Sequence, residues 1–230
     1  MLRKGVAVLA IRAIIFDFDG LILDTESPLH TSWMEVFAHY GLVVTQEEWA
    51  SLLGASADVP EAYELLEAHL GRPLDRKRIH EQRMARELQL LDEEDVLPGV
   101  RELIHEAKTA SFGLAVASSS DRAWVEGLLT RHDLIQSFDT IVCAEDVAQT
   151  KPAPDLFLKA LKQLHVEAHE AIIFEDSEHG VSAAKAAGIF CVAVPNKVTR
   201  CLAFADASLI VTSIADYSLH DYTERATSTR

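Results

Sequence analysis

The sequence predicts an α/β protein, a doubly wound parallel-sheet core interrupted after its first strand by an all-helical insertion. Three observations carry this. Six short runs are apolar nearly throughout: Ala13–Phe18, Gly113–Ser118, Thr140–Ala144, Ala171–Glu175, Phe190–Val194 and Leu209–Val211. Helical patterns separate the strands of the second half. The interval from about Ser27 to Asp95, by contrast, contains no convincing strand. Unbroken apolar runs suit strands covered on both faces, and alternation of strand with helix means βαβ units.

The elements follow in order. Residues MLRKGVAVLAI imitate a signal peptide, but the run is short, lacks a small-residue cleavage site and meets Arg12 at once. Within the insertion, Ser27-Pro28 reads as a helix start, with Gly41 as the stop. Thr45-Gln-Glu-Glu48 is a capping box opening a second helix. Pro60–Leu70, closed by Gly71, and Asp75–Leu91 complete the group. Pro98-Gly99 starts a helix that returns to the sheet. Helices then follow over Asp121–His132, Pro154–Leu164 and Val181–Ala187, the last stopped by Gly188. The polar residues from Leu219 onward are expected to fray. Residues 1–25 and 97–230 are thus expected to form the core, and 26–96 a helical cap inserted after the first strand.

Composition narrows the function. The chain has 230 residues, 49% of them hydrophobic and 25% charged, so it can build a buried core. Its formal net charge of −15 argues against nucleic acid and anionic membrane surfaces as partners. No stretch approaches the roughly eighteen apolar residues of a membrane span. A cytoplasmic, monomeric protein with reduced cysteines is expected, since Cys143, Cys191 and Cys201 form no CxxC pair. Any phosphate site in so acidic a protein must bring its own positive charge.

In doubly wound sheets ligands bind beyond the carboxyl ends of the strands. There the first strand delivers Asp17, Asp19 and Gly20 in FDFDG, and the second delivers Ser118-Ser119-Ser120. The loop after the third brings Lys151 in TKPAPD, and the fourth ends in Glu175-Asp176. Singly, each is an ordinary cap or turn residue. Together, three converging carboxylates would raise one another's pKa unless a cation neutralised them, and all-oxygen donors suit Mg2+.

The ordered set DFDG, Ser118, Lys151-Pro152 and Glu175-Asp176 resembles the four motifs of the haloacid dehalogenase-like (HAD) superfamily. The strings FDFDGLILDTE, KPAPDLF and FEDSEHGVSAAKAAG are similar to its branch of β-phosphoglucomutases and small-metabolite phosphatases. The resemblance covers roughly Ile14 to Val211 and implies a Rossmann-like core with a cap. It also implies an aspartyl-phosphate on Asp17, with Asp19 as general acid and base. Mg2+ would bind Asp17, the backbone carbonyl of Asp19 and Asp176, with Glu175 as a further ligand or an outer-shell partner. Ser118, Ser119 and Lys151 would hold the phosphate, while Thr25 and Glu26 would help shape the leaving-group pocket. Dehalogenases lack the second aspartate and need no metal, so Asp19 and Asp176 argue against that chemistry.

The resemblance leaves hydrolysis and mutase chemistry to be told apart. By alignment, β-phosphoglucomutases have a histidine at the position of Leu29 and an arginine at that of Ala57 in GASADVP. His30 is one residue off, about 100° around a helix. These departures favour a phosphatase for a small phosphorylated metabolite, sugar phosphates first, over a β-phosphoglucomutase-like phosphotransferase. Phosphonate cleavage needs a cap lysine, and Lys77 in Arg76-Lys77-Arg78 reads as a solvated face. A phosphate- or metal-binding module without turnover is the remaining alternative, against which stands the complete motif set. His165 and His169 read as an accidental pair, His179 as a surface residue, and Trp33, Met34 and Phe37 as cap packing.

Overall fold

The computed structural model describes residues 10–52 and 59–228. Six parallel strands form one sheet: β1 (Ala13–Phe16), β2 (Gly113–Ala117), β3 (Thr140–Val142), β4 (Ala171–Glu175), β5 (Phe190–Ala193) and β6 (Leu209–Ile210). Their order is β3-β2-β1-β4-β5-β6, all neighbours parallel. The order reverses direction at β1, so its carboxyl end lies at the topological switch point.

Both faces are buried, which explains the unbroken apolar runs. Ile14, Phe16, Leu114, Val116, Ile172 and Phe174 point into one core layer, and Ala13, Ile15, Ala115, Ala117 and Ile173 into the other. Register aligns Phe16 with Val116 and with Phe174. The residues that follow therefore emerge along one edge.

Five strands are shorter than the sequence suggests. β1 stops at Phe16 although the Asp17 N–H still bonds Phe174 O at 2.9 Å. The chain then turns, with Phe18 O accepting from Leu21 and Ile22 and Gly20 at φ 71°. Ser118, Cys143 and Ala144, Val194 and Val211 likewise lie just past their strands.

The helices of the sheet region are α5 (Val100–Thr109), α6 (Arg122–Arg131), α7 (Asp155–Leu164) and α8 (Glu178–Ala187). Asp121 and Ser177 cap α6 and α8 through Trp124 N and Gly180 N. The expected fraying after Leu219 is overturned: Leu219–Ser228 forms α9. Leu219, Tyr222 and Ala226 make a buried face at helical spacing, and Tyr222 packs edge-on against Phe174 with its hydroxyl donating to Ile214 O. Three apolar residues in a polar decapeptide suffice because each is fully used.

Among the described residues, the regular elements between β1 and α5 are helices: α1 (Glu26–His39), α2 (Gln46–Leu52), α3 (Pro60–Leu70) and α4 (Arg76–Leu91). Their core is separate, built on Trp33, Phe37, Trp49, Tyr63, Leu66 and Ile79. α1 begins at Glu26, not at Ser27-Pro28, because Ser27 turns back to bond Asp24 through both its N–H and its hydroxyl. The Thr45–Glu48 capping box forms in both directions. The chain leaves and re-enters the sheet region side by side, through an antiparallel Leu23–Val96 bridge and a Leu97 N–H to Ile22 O bond of 2.9 Å.

Candidate active site

Asp17 leaves β1 at the switch point and is 6% exposed. Beside it, at the end of β4, stand Glu175 and Asp176, both buried. One ligand oxygen from each of the three lies within 4.8 Å of the others. Lys151, from the loop before α7, enters from the opposite side and bridges Asp17 Oδ1 and Glu175 Oε1. Its peptide bond to Pro152 is cis.

Burial and Glu175 together outweigh Lys151 and push the Asp17 carboxyl up to about 8. Asp176 is raised too, first by burial and then by Asp17. The two carboxylates hold Lys151 charged despite its burial. One ammonium thus cannot neutralise three buried carboxyls, and the deficit is of the kind a divalent cation removes. Hard, all-oxygen donors at this separation fit Mg2+.

Each carboxylate is aimed by a further partner. Glu175 Oε2 accepts from the Ser177 N–H and hydroxyl, and Gly180 leaves room for it: a Cβ there would lie 1.8 Å from Glu175 Cδ. Asp176 Oδ2 accepts from Asn196 Nδ2 at 2.6 Å, and the same amide approaches Gly20 O. The Asp19 carboxylate is held by three donors. Its Oδ2 accepts from the hydroxyls of Ser118 (3.2 Å) and Ser120 (2.6 Å), and its Oδ1 from Trp124 Nε1 at 2.9 Å. The Ser119 hydroxyl is buried without a partner, an orphan donor on the same loop. Thr25 Oγ1 accepts from the Gly20 N–H, tying the start of α1 to the aspartate turn.

The chain as a whole matches known proteins. The family model for haloacid dehalogenase-like hydrolases matches residues 14–194. The chain is a haloacid dehalogenase-like hydrolase. It is 40% identical over 209 residues to protein YhcW of Bacillus subtilis, covering 91% of this chain and 94% of that one. It is 35% identical over 179 residues to the phosphorylated carbohydrates phosphatase of Thermotoga maritima, 77% and 82% of the two chains. The crystal structure of CbbY from Rhodobacter sphaeroides in complex with phosphate superposes with a TM-score of 0.72 at 33% identity, over 91% and 98% of the chains.

In this HAD hydrolase the residues picked from strand ends lie at one edge, whereas other candidates scatter. Leu29 is buried in the helical cluster, and His30 packs edge-on to Trp49. Ala57 falls outside the described residues. Lys77 is exposed and pairs with Glu81. His165 terminates α7 in a left-handed conformation and His169 sits in the following 3-10 turn, Ala168–Glu170; neither joins a metal cluster among the described residues. Asp146, ahead of the Lys151 loop, binds Arg122 and Lys159.

Two contributors escape a strand-end reading, Asn196 and Trp124, as does a buried ion pair among the inserted helices, Arg83 with Glu87. Asn196 lies in a Pro-Asn-Lys loop with no pattern around it. Arg83 and Glu87 occupy the buried stripe Ile79, Arg83, Glu87, Leu91 of α4. Their spacing of four was the available signal, masked by the charged residues that surround it.

No helix among the described residues is long and apolar enough to cross a membrane.

Proposed function

We propose that the protein is a magnesium-dependent phosphatase acting on a small phosphorylated metabolite, sugar phosphates first, through an aspartyl-phosphate on Asp17. The observation that carries this reading is the buried cluster of Asp17, Glu175 and Asp176 bridged by one lysine. Mg2+ would be held by Asp17, Asp176, the Asp19 carbonyl and Glu175, directly or through an outer shell, and would supply the positive charge that a phosphate dianion requires there.

The chain's own residues supply the rest. An Asp17 oxygen attacks phosphorus while Asp19 protonates the departing ester oxygen. Asp19 then takes a proton from the water that cleaves the acyl phosphate, restoring Asp17. Lys151, Ser118 and Ser119 hold the phosphoryl oxygens, so positioning and charge neutralisation provide most of the acceleration. Residues 26–96 act as a cap over a core of 1–25 and 97–230, with Thr25 and Glu26 at their junction. The burial of Leu29 supports water over a sugar hydroxyl as acceptor, because the side chain at that position packs inside the cap. The name of the Thermotoga maritima relative supports phosphorylated carbohydrates as the class.

The test is phosphate release from a panel of sugar phosphates, nucleotide monophosphates and phosphoglycolate with Mg2+, run beside β-glucose 1-phosphate primed with its bisphosphate. Free phosphate that disappears in EDTA and returns with Mg2+ is expected. Conversion to glucose 6-phosphate without phosphate release would replace the phosphatase by a mutase.

A further inference from the structure

The helical insertion holds a cavity of its own. It measures about 600 Å³ and lies between the C-terminal half of α1 and the N-terminal half of α4. None of Asp17, Asp19, Lys151, Glu175 and Asp176 lines it. Cavities that take small molecules run from roughly 300 to 1,000 Å³.

In a chain of net charge −15 the walls of this cavity are basic. Arg72, Arg78, Arg83 and Arg86 stand there against two carboxylates, Glu35 and Asp75. Both carboxylates are already used. Glu35 accepts from Nε and Nη2 of Arg86, and Asp75 caps α4 through the Arg78 N–H at 3.1 Å. The guanidinium groups of Arg72 and Arg78 have no hydrogen bond or ion pair among the described residues. Their neighbours do: Arg76 pairs with Glu67, and Lys77 with Glu81. The run Arg76-Lys77-Arg78 is therefore not uniformly a solvated face, since its one uncommitted member lines the cavity.

A second observation points the same way. Arg83 lines the cavity although it is only 2% exposed. Its Nη1 reaches Glu87 and the Ser32 hydroxyl, but its Nε is buried without a partner. A buried donor left unpaired is costly, and an acceptor entering from the Arg83 side would satisfy it. Arg72 is also held in place, because its linker is pinned by Leu74 N–H donating to Glu67 Oε1 at 3.1 Å and Arg76 N–H to Leu74 O at 2.9 Å. The remaining wall is apolar, with Val36, Tyr40, Leu74 and Ile79. Guanidinium forks match phosphate oxygens in pairs, so two uncommitted ones in one cavity favour a phosphate dianion over a single carboxylate.

We propose that the cavity between α1 and α4 is a second phosphate-binding site, separate from the strand-end site. Arg72 and Arg78 hold a phosphate dianion there, free or as part of a small ester whose organic portion lies against Tyr40, Leu74 and Ile79. The proposal goes beyond the phosphatase reading and does not depend on it.

The experiment is calorimetric titration of the full chain in EDTA with inorganic phosphate, with adenosine 5′-monophosphate and, at equal ionic strength, with acetate. Phosphate or the nucleotide is expected to bind with a Kd below about 1 mM, at least about tenfold tighter than acetate. A nucleotide affinity at least about tenfold above that of phosphate identifies an ester as the occupant, and equal affinities identify free phosphate; both sustain the proposal. In the double replacement Arg72→Gln with Arg78→Gln, binding should weaken at least about tenfold. Both side chains are exposed, so the melting temperature should hold; if it does not, Arg72→Gln alone, outside every helix, is read the same way. No binding by the unmodified chain overturns the proposal, and so does acetate binding as tightly as phosphate. Full binding in the arginine variants also overturns it, because the anion then sits elsewhere. Failure to release phosphate from any substrate with Mg2+ would overturn the phosphatase reading and leave this site standing.

Discussion

The indole N–H of Trp124 donates to Asp19 Oδ1 at 2.9 Å, across 105 residues of sequence. With Ser118 and Ser120 it fixes the direction of the carboxylate read here as general acid and base. Trp124→Phe keeps most of the ring and removes this donor. A lost hydrogen bond to a charged group costs about 1.5 kcal/mol or more, roughly tenfold in rate. We expect kcat to fall about tenfold with KM nearly unchanged, measured by steady-state phosphate release. An unaltered kcat would show that Trp124 does not position Asp19.

Asp17→Asn should abolish turnover while the fold persists. Loss of a nucleophile costs at least about four orders of magnitude in comparable hydrolases. Circular dichroism should be unchanged, since Lys151 retains Glu175. Substantial residual activity would remove Asp17 as nucleophile.

Asn196 donates to Asp176 and approaches Gly20 O, so on the proposed reading it supports the metal site from outside the ligand set. Replacing such a partner typically costs tenfold to a hundredfold in metal affinity. Asn196→Ala should therefore raise the Mg2+ concentration for half-maximal activity about tenfold, with kcat at saturating Mg2+ reduced far less. A Mg2+ titration that overlays the unmodified one would dismiss this role.

Glu26 offers a pH test. Burial, then Asp19 and Asp24, push its carboxyl up to about 7. A raised folded-state value means that the group's contribution to stability is complete below the ordinary carboxylate range and is lost as pH rises through about 7. Glu26→Gln does not titrate. In EDTA its melting temperature relative to the unmodified protein should therefore climb between pH 5 and pH 8. A difference that stays flat or declines across that range contradicts the burial assigned to this carboxyl.

Gly180 sets packing against propensity. Alanine in a helix interior gains about 1 kcal/mol over glycine. Here the added Cβ would sit 1.8 Å from Glu175 Cδ, with Glu175 fully buried and held by Ser177 and Lys151. Overpacking costs about 1–3 kcal/mol, so the clash wins. Gly180→Ala should lower both the melting temperature and Mg2+-dependent activity.

Much of this was legible in the sequence because parallel sheets concentrate chemistry at strand ends. Once Phe16, Ala117 and Glu175 were placed at or near such ends, Asp17, Ser118 and Asp176 followed. Lys151 was legible in the same way, on the loop that follows the third strand. What stayed hidden has a common cause: partners that depend on tertiary approach. Asn196 matters only because its loop folds over Gly20. Trp124 reaches Asp19 only once α6 docks beside the first strand's end, and Arg83 and Glu87, in a helix dense with charge, are buried only because α4 packs on α1. The terminal helix was missed because polar composition outweighed three well-spaced apolar residues.

The Leu23–Val96 bridge has one further consequence. The helical insertion joins the sheet region through two chain passages that lie against each other rather than at distant points, with Val198 packing on its core from the sheet side. Such an attachment is a modular joint: one stretch of gene can drift, lengthen or be exchanged while the strand register beneath it stays intact. On the proposed reading, in which the helices shape the leaving-group pocket and the strand ends handle the phosphate, a graft cut at this joint is the natural unit for exchanging selectivity while keeping the chemistry.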